Sequence, residues 1–151
     1  MINAIAHVGL TVSDIDRSLD FYQNVLKMTF QGRMHMAGPE TELLFARKGA
    51  EVDVAYVKGN ASIDSPTVEL IQFTTSEAEK DVCDLHKTSI SELCFYVSDI
   101  DALYEHLLAH NVECISAPPF FDFTEFGFSK SKAIYFKDPD GIILEAMQVI
   151  A

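Results

Sequence analysis

The sequence predicts an α+β chain built from two copies of one structural unit, and three observations carry that expectation. H-V-G-L-T-V-S-D-I-D, beginning at His7, returns 85 positions later as E-L-C-F-Y-V-S-D-I-D, beginning at Glu92, with V-S-D-I-D identical. V-E-L-I-Q at Val68 to Gln72 is matched, in the same order along the chain, by L-E-A-M-Q at Leu144 to Gln148. Each half then contains one stretch of helical periodicity among short β-rich runs, and such duplication dictates architecture before any other consideration. The expected layout is a single domain with one module over 1–73, a linker over 74–88 and a second module over 89–151.

In the first half, residues 2–12 read as a strand with two unlike faces. Ala6, Val8, Leu10 and Val12 alternate with Ile5, His7, Gly9 and Thr11. Ser13 is the expected N-cap, followed by acids in the first turn, and Ile15, Leu19, Tyr22 and Leu26 recur at helical spacing, giving a helix from about Asp14 to Leu26. A strand around Thr29–Met36 ends at Gly38-Pro39, and Glu40–Lys48 reads as a short helix, with a strand as the alternative. Strands at Glu51–Val57 and Thr67–Phe73 follow, separated by the turn-like G-N-A-S-I-D-S-P from Gly59 to Pro66.

Thr74 to Thr88 is polar, charged and without a period, which suits a linker. The second copy then runs as a strand over Ile90–Val97, a helix capped by Ser98 and ending near His110, and a strand over Val112–Ser116. Strands at Ala133–Phe136 and Ile142–Val149 are expected to pair across the turn signal K-D-P-D-G. The segment P-P-F-F-D-F-T-E-F-G-F, from Pro118 to Phe128, is too irregular for a core strand. It reads as an apolar loop folded over a cavity, with an interface role as the competing reading.

Composition narrows the function. A formal net charge of −12 with no basic cluster argues against nucleic acid and against an anionic membrane surface as partners. No run approaches the length of apolar sequence that crosses a bilayer. Cys83, Cys94 and Cys114 lack metal-cluster spacing and form an odd set, as expected of reduced thiols in a cytoplasmic protein. The site face is where chemistry is expected. Strand alternation places His7 with Gly9 and Thr11, Glu92 with Cys94 and Tyr96, Glu69 with Ile71 and Phe73, and Glu145 with Ile143 and Met147. A carboxylate among apolar neighbours is costly unless paired, protonated or bound to a cation, and one divalent ion would meet that cost for all four polar residues.

These residues resemble the vicinal oxygen chelate superfamily, which includes glyoxalases, bleomycin-resistance proteins and dioxygenases. The motifs are His7–Leu26, Val68–Gln72, Val97–Asp101 and D-P-D-G-I-I-L-E at Asp138–Glu145, and they span nearly the whole chain. The resemblance implies paired βαβββ modules forming a cupped mixed sheet with helices outside. It implies metal ligands at His7, Glu69, Glu92 and Glu145, and a homodimer as the common assembly. In that family the metal holds neighbouring substrate oxygens during isomerisation, epimerisation, ring cleavage or group addition.

Departures from the family pattern shape the expectation further. Glu92 stands where metal-dependent members usually have His, so three carboxylates and one imidazole would over-neutralise a divalent ion. One Glu is then expected to be protonated or off the metal in some state and free to act as the base. Glu92 and Glu145 are the catalytic candidates. Oxygen-rich ligation moves the preference from zinc toward manganese, magnesium or iron, with nickel also in view. Glutathione-dependent glyoxalase I enzymes carry Arg where Thr11 stands and Asn near Phe73, and neither is here. The resemblance therefore points to the epimerase, isomerase or lyase branch, acting on a small molecule next to a chelated carbonyl. Thr11, Phe73, Tyr96, Phe121, Phe123 and Phe126 are the expected pocket residues. The competing readings are a metal-free ligand-binding or resistance protein and an Fe(II) dioxygenase. His106 and His110, four apart on the second helix, are read as a solvated face, and neither His35 nor His86 is assigned a ligand role.

Overall fold

In the computed structural model, residues 1–60 and 64–151 are described; residues 61–63 of the expected Gly59–Pro66 turn lie outside them. Internal contacts divide the chain into two units, Met1–Lys80 and Asp81–Ala151. The first holds β1 (His7–Thr11), β2 (Thr29–Met36), β3 (Val52–Lys58) and β4 (Thr67–Phe73) in the order β1-β4-β3-β2. The second holds β5 (Leu93–Tyr96), β6 (Phe120–Asp122), β7 (Lys130–Lys137) and β8 (Ile143–Ile150) in the order β5-β8-β7-β6. In both, the first strand pairs parallel with the last and every other pairing is antiparallel. The fold class is α+β, a tandem of βαβββ units.

The helices form where the repeat predicts them, but with different caps. In α1 (Ile15–Asp20) the carboxylate of Asp14 accepts from the N–H groups of Asp16 and Arg17, and in α3 (Ile100–Ala109) Asp99 accepts from Ala102. Ser13 and Ser98 are not the N-caps. Asp14 and Asp99 take the extended backbone that a cap requires, and Ser13 instead accepts from the Arg17 guanidinium. A second anchor is repeated too. Gln72 on β4 accepts from the Ile15 N–H at 2.8 Å, and Gln148 on β8 accepts from the Ile100 N–H at 2.9 Å. The first helix does not run as one α-helix to Leu26. It changes at Phe21–Val25 to π-type hydrogen bonding, with Leu26 N–H donating to Phe21 C=O.

Each helix lies against its own sheet. Val12, Ile15 and Tyr22 are buried with Val57, Val68 and Leu70 in the first unit, and Ile100 and Leu107 with Ile134, Phe136 and Leu144 in the second. The short helix expected after Gly38-Pro39 is α2 (Pro39–Leu44), with Pro39 in its first turn, where a missing N–H costs nothing.

Two other expectations change. Val112–Ser116 makes no strand, only a bridge from Cys114 to Phe136 flanked by bonds from Ile115 N–H to Tyr135 C=O and from Lys137 N–H to Glu113 C=O. The phenylalanine-rich segment is more regular than its composition suggests. Phe120–Asp122 forms edge strand β6 on β7, a 3₁₀ turn spans Thr124–Phe126, and Asp122 fastens that turn by accepting from the Thr124 N–H and hydroxyl.

The turn between β7 and β8 is tied by Asp138, whose Oδ1 accepts from the N–H groups of Asp140 and Ile142 at 2.9 Å, with Gly141 at φ +82°. Asp138 is buried. Replacing it with Ala leaves two backbone donors without that acceptor, so Asp138→Ala is expected to lower stability by about 1–3 kcal/mol, read as a lower urea midpoint.

Candidate functional site

In the first unit the site is one row of residues across the sheet. Strand register places Gly9 beside Glu69, Glu69 beside Tyr56 and Tyr56 beside Gly32. His7, two residues before Gly9, shares its face. The His7 Nε2 lies 3.1 Å from Glu69 Oε2, while the Tyr56 hydroxyl donates to Glu69 Oε1 at 2.7 Å. The Tyr56 and His7 rings meet edge-on with centroids 6.1 Å apart. Glu69 is largely covered, its side chain 14% exposed, whereas His7 is 45% exposed. The carboxylate is thus shared between an imidazole and a phenol, its two oxygens separately engaged.

Gly9 is what leaves room for this. A Cβ there would stand 3.3 Å from Glu69 Oε2 and 3.4 Å from Ile71 Cδ1, so the missing side chain opens the space beside the oxygen that faces His7. An imidazole nitrogen and a carboxylate oxygen 3.1 Å apart, with no side chain at position 9 to crowd them, are donors of the kind a divalent ion takes. Gly9→Ala is expected to push the Glu69 carboxylate off His7 Nε2, read as a shift of the His7 ring resonances, with little change in thermal unfolding.

The second unit carries the same row with one exchange. Cys94 stands where Gly9 does, beside Glu145, and Glu145 is beside Tyr135. Loss of solvent around the sulfur and a hydrogen bond donated to Glu145 push the Cys94 thiol up to about 12. Tyr135 is also raised, first by burial and then by the charges of Glu145 and Glu92. Glu92 is half-buried and precedes β5 by one residue, so it is not held in the ladder as expected from sequence. Among the described residues, no three His, Cys, Asp or Glu side chains lie close enough to hold one ion. The candidates come together as His7 with Glu69 and as Glu145 with Cys94.

The two tyrosines beside the acids are the site-face residues that sequence reasoning did not single out. Their signal is the repeated tripeptide Y-V-K at Tyr56–Lys58 and Y-F-K at Tyr135–Lys137. The hydrogen bond to Glu69, together with burial and the Glu69 charge, pushes the Tyr56 phenol from 10.0 up to about 12. An acid whose folded pKa is raised stabilises the fold below its ordinary pKa, and that stabilisation disappears as pH climbs through the folded value. Stability is therefore expected to fall between about pH 10 and pH 12, with part of the slope absent in Tyr56→Phe, when chemical unfolding is measured across that range.

The pocket candidates divide by unit. Thr11 is exposed on the His7 face, and Phe73 lies four residues beyond Glu69 on the same face of β4. Phe73 is braced edge-on by Phe45, centroids 5.3 Å apart, with the Arg47 guanidinium 5.9 Å from its ring centre. It borders a cleft of about 730 Å³ whose wall continues through Val12, Gln72 and Thr74 to Lys80. In the second unit, Tyr96 shares the face of Cys94, and Phe121 pairs with Ser131 on the Tyr135 face of β7. Phe121 and Phe123 stack with centroids 5.3 Å apart and planes 11° from parallel. Phe126 and Phe128 remain exposed, so this segment presents an aromatic surface.

This architecture, two βαβββ units with an acid at the same register point of each closing strand, defines a class of protein. Comparison with known proteins identifies the class: a family profile for the Glyoxalase/Bleomycin resistance protein/Dioxygenase superfamily matches residues 4–146, and the chain belongs to that superfamily. The protein YaeR of Escherichia coli (strain K12) is 25% identical over 150 residues, covering 95% of each chain. A glyoxalase family protein from Bacillus cereus superposes with a TM-score of 0.83 at 16% identity, over 100% of this chain and 97% of the other. The trypanothione-dependent glyoxalase I of Leishmania major superposes at 0.63 with 21% identity, over 97% and 87%. Likeness at these identities to the two solved structures establishes the fold.

Proposed function

We propose that the chain is a cytoplasmic, divalent-metal-dependent enzyme of glyoxalase type, an isomerase, epimerase or lyase acting next to a chelated carbonyl of a small oxygenated substrate. The observation that carries this reading is Glu69 Oε2 set 3.1 Å from His7 Nε2 beside Gly9, with Glu145 at the matching point of the second sheet. His7, Glu69 and Glu145 are assigned as ligands and Glu92 as ligand or base. The ion would supply electrophilic polarisation of the substrate carbonyl. Three carboxylates and one imidazole favour manganese, magnesium or iron over zinc.

The chain's own residues supply the remainder. Glu92, whose charge acts on both Cys94 and Tyr135, would take a proton from the carbon beside the carbonyl. Thr11 and Phe73 in the first unit, and Tyr96 with the stacked Phe121 and Phe123 in the second, are assigned to the substrate's body. A homodimer belongs to the same proposal, because Ile2, Ile5, Phe126 and Phe128 leave apolar surface exposed.

The test is exchange of solvent deuterium into α-hydroxycarbonyl and 1,2-dicarbonyl compounds, with the protein loaded in turn with Mn²⁺, Mg²⁺, Fe²⁺, Ni²⁺ and Zn²⁺. Metal-dependent exchange at the carbon next to the carbonyl is the expected result. Glu92→Gln then separates its two roles: exchange lost with the ion retained marks the base, and loss of the ion marks a ligand. Oxygen consumption with Fe²⁺ would replace this reading with a dioxygenase. No metal dependence and no exchange would leave a small-ligand-binding or resistance protein as the better account.

A further inference from the structure

We propose that His35 operates a pH-sensitive clip in the first unit: as an imidazolium it bridges Asp53 and Glu51 and, through Arg33 and Asp16, fastens the end of β2 to β3 and to the first turn of α1.

The clip is a chain of charged groups drawn from three elements. His35 Nδ1 lies 2.8 Å from Asp53 Oδ1, and its Nε2 lies 3.2 Å from Glu51 Oε2. The other oxygen of Asp53 accepts from the Arg33 guanidinium at 2.8 Å, and a second guanidinium nitrogen donates to Asp16 Oδ1. Register explains the gathering. His35 pairs with Asp53 across β2 and β3, Arg33 stands two residues back on the same face of β2, and Asp16 belongs to the first turn of α1. The clip therefore occupies the side of the sheet that carries α1. β2 is the edge strand in the order β1-β4-β3-β2, with β3 as the neighbour it pairs with, so its end is where the sheet frays most readily.

An imidazole donates to two carboxylates only when both ring nitrogens carry protons. Neutral His35 would keep one N–H and turn a lone pair toward the other acid. In the protonated state Arg33 and His35 stand against Asp16, Asp53 and Glu51; deprotonation leaves Arg33 alone against the same three acids. The hydrogen bond to Asp53, and after it the one to Glu51, holds His35 above its ordinary 6.5 in spite of desolvation. Asp53 is held below 3.8, first by Arg33 and then by His35. A base raised in the fold contributes stability that is lost as pH climbs through its folded value, and an acid lowered in the fold contributes stability that is lost as pH falls through its own. The clip is thus closed between those two values and opens as His35 titrates. Its side chains all keep contact with water, so opening frees the end of β2 locally and leaves the unit folded.

The experiment follows the full-length wild type, His35→Gln and Glu51→Gln by nuclear magnetic resonance across about pH 5.5 to 8.5, the range in which histidine charge changes. Ring resonances give the titration of His35, assigned among the five histidines by its loss in His35→Gln. Amide hydrogen exchange, corrected for the intrinsic dependence on pH, gives the protection of residues 33–36. The expected result is a His35 midpoint above 6.5 in the wild type and a several-fold loss of protection at the end of β2 as it is passed. In His35→Gln that step should vanish. In Glu51→Gln the midpoint should fall, and the step should move down with it. A merely structural set of ion pairs would show no step tied to the His35 midpoint. A wild-type midpoint at or below 6.5, or the same protection profile in His35→Gln as in the wild type, would overturn the clip. Should His35→Gln lose its far-ultraviolet dichroism, Glu51→Gln carries the test alone, and a step that stays put while the His35 midpoint falls would overturn the proposal.

Discussion

Alanine at His7 or at Glu145 is expected to release the divalent ion from the purified protein. Elemental analysis of protein prepared without chelator should give about one ion per chain in the wild type and a background level in both variants. The argument is one of charge and donor number. Removing His7 takes away the only imidazole in the proposed set and leaves Glu69 Oε2 without its neighbour at 3.1 Å. Removing Glu145 deletes the acid from the second closing strand, in register with Cys94. Because the two residues lie in different units, loss in only one variant would mean that the ion is held by that unit alone. Retention in both would remove the metal centre as proposed. Neither substitution touches the buried core, so thermal unfolding without added metal should remain close to that of the wild type.

The largest expected effect on stability comes from Tyr22→Ala. Tyr22 is the largest fully buried side chain and lies in the π-helical turn after α1, its ring edge-on to Phe21 with centroids 5.3 Å apart. Truncating a buried aromatic to a methyl group removes its transfer free energy and leaves a cavity, a cost of about 3–5 kcal/mol. Against a usual net stability of about 5–15 kcal/mol, that is enough to bring the first unit near its unfolding midpoint at moderate temperature. Urea denaturation followed by far-ultraviolet dichroism should show the midpoint displaced far down. A shift equivalent to less than about 1 kcal/mol would mean the turn repacks around the gap.

The repeat made much of this readable. V-S-D-I-D fixed where both helices begin, and the alternation in β1 and β4 correctly put His7 and Glu69 on one face. What the sequence hid has physical causes. The caps are Asp14 and Asp99 because serine and aspartate are adjacent in the motif and both are good N-cap residues, so only backbone geometry decides between them. Val112–Ser116 has strand composition, but a strand needs a partner along its length, and here only Cys114 forms a bridge. Tyr56 and Tyr135 escaped notice because their distances to the following glutamates differ, 13 residues in one half and 10 in the other. The chain between β3 and β4 is longer than the D-P-D-G turn between β7 and β8, which shifts the match out of step. Pairing across strands ignores that difference, since only register matters to neighbours.

The closing strand of each unit is gripped from both faces. Glu69 points to one side of β4 and Gln72, three residues on, to the other, where it holds the first N–H of α1; Glu145 and Gln148 do the same on β8. A slip of one residue would exchange the faces. It would strip the amide from the helix and swing the acid toward the core in the same motion. Misregistered chains therefore incur two separate penalties, so the pairing that completes the site also serves as the fold's proofreading step.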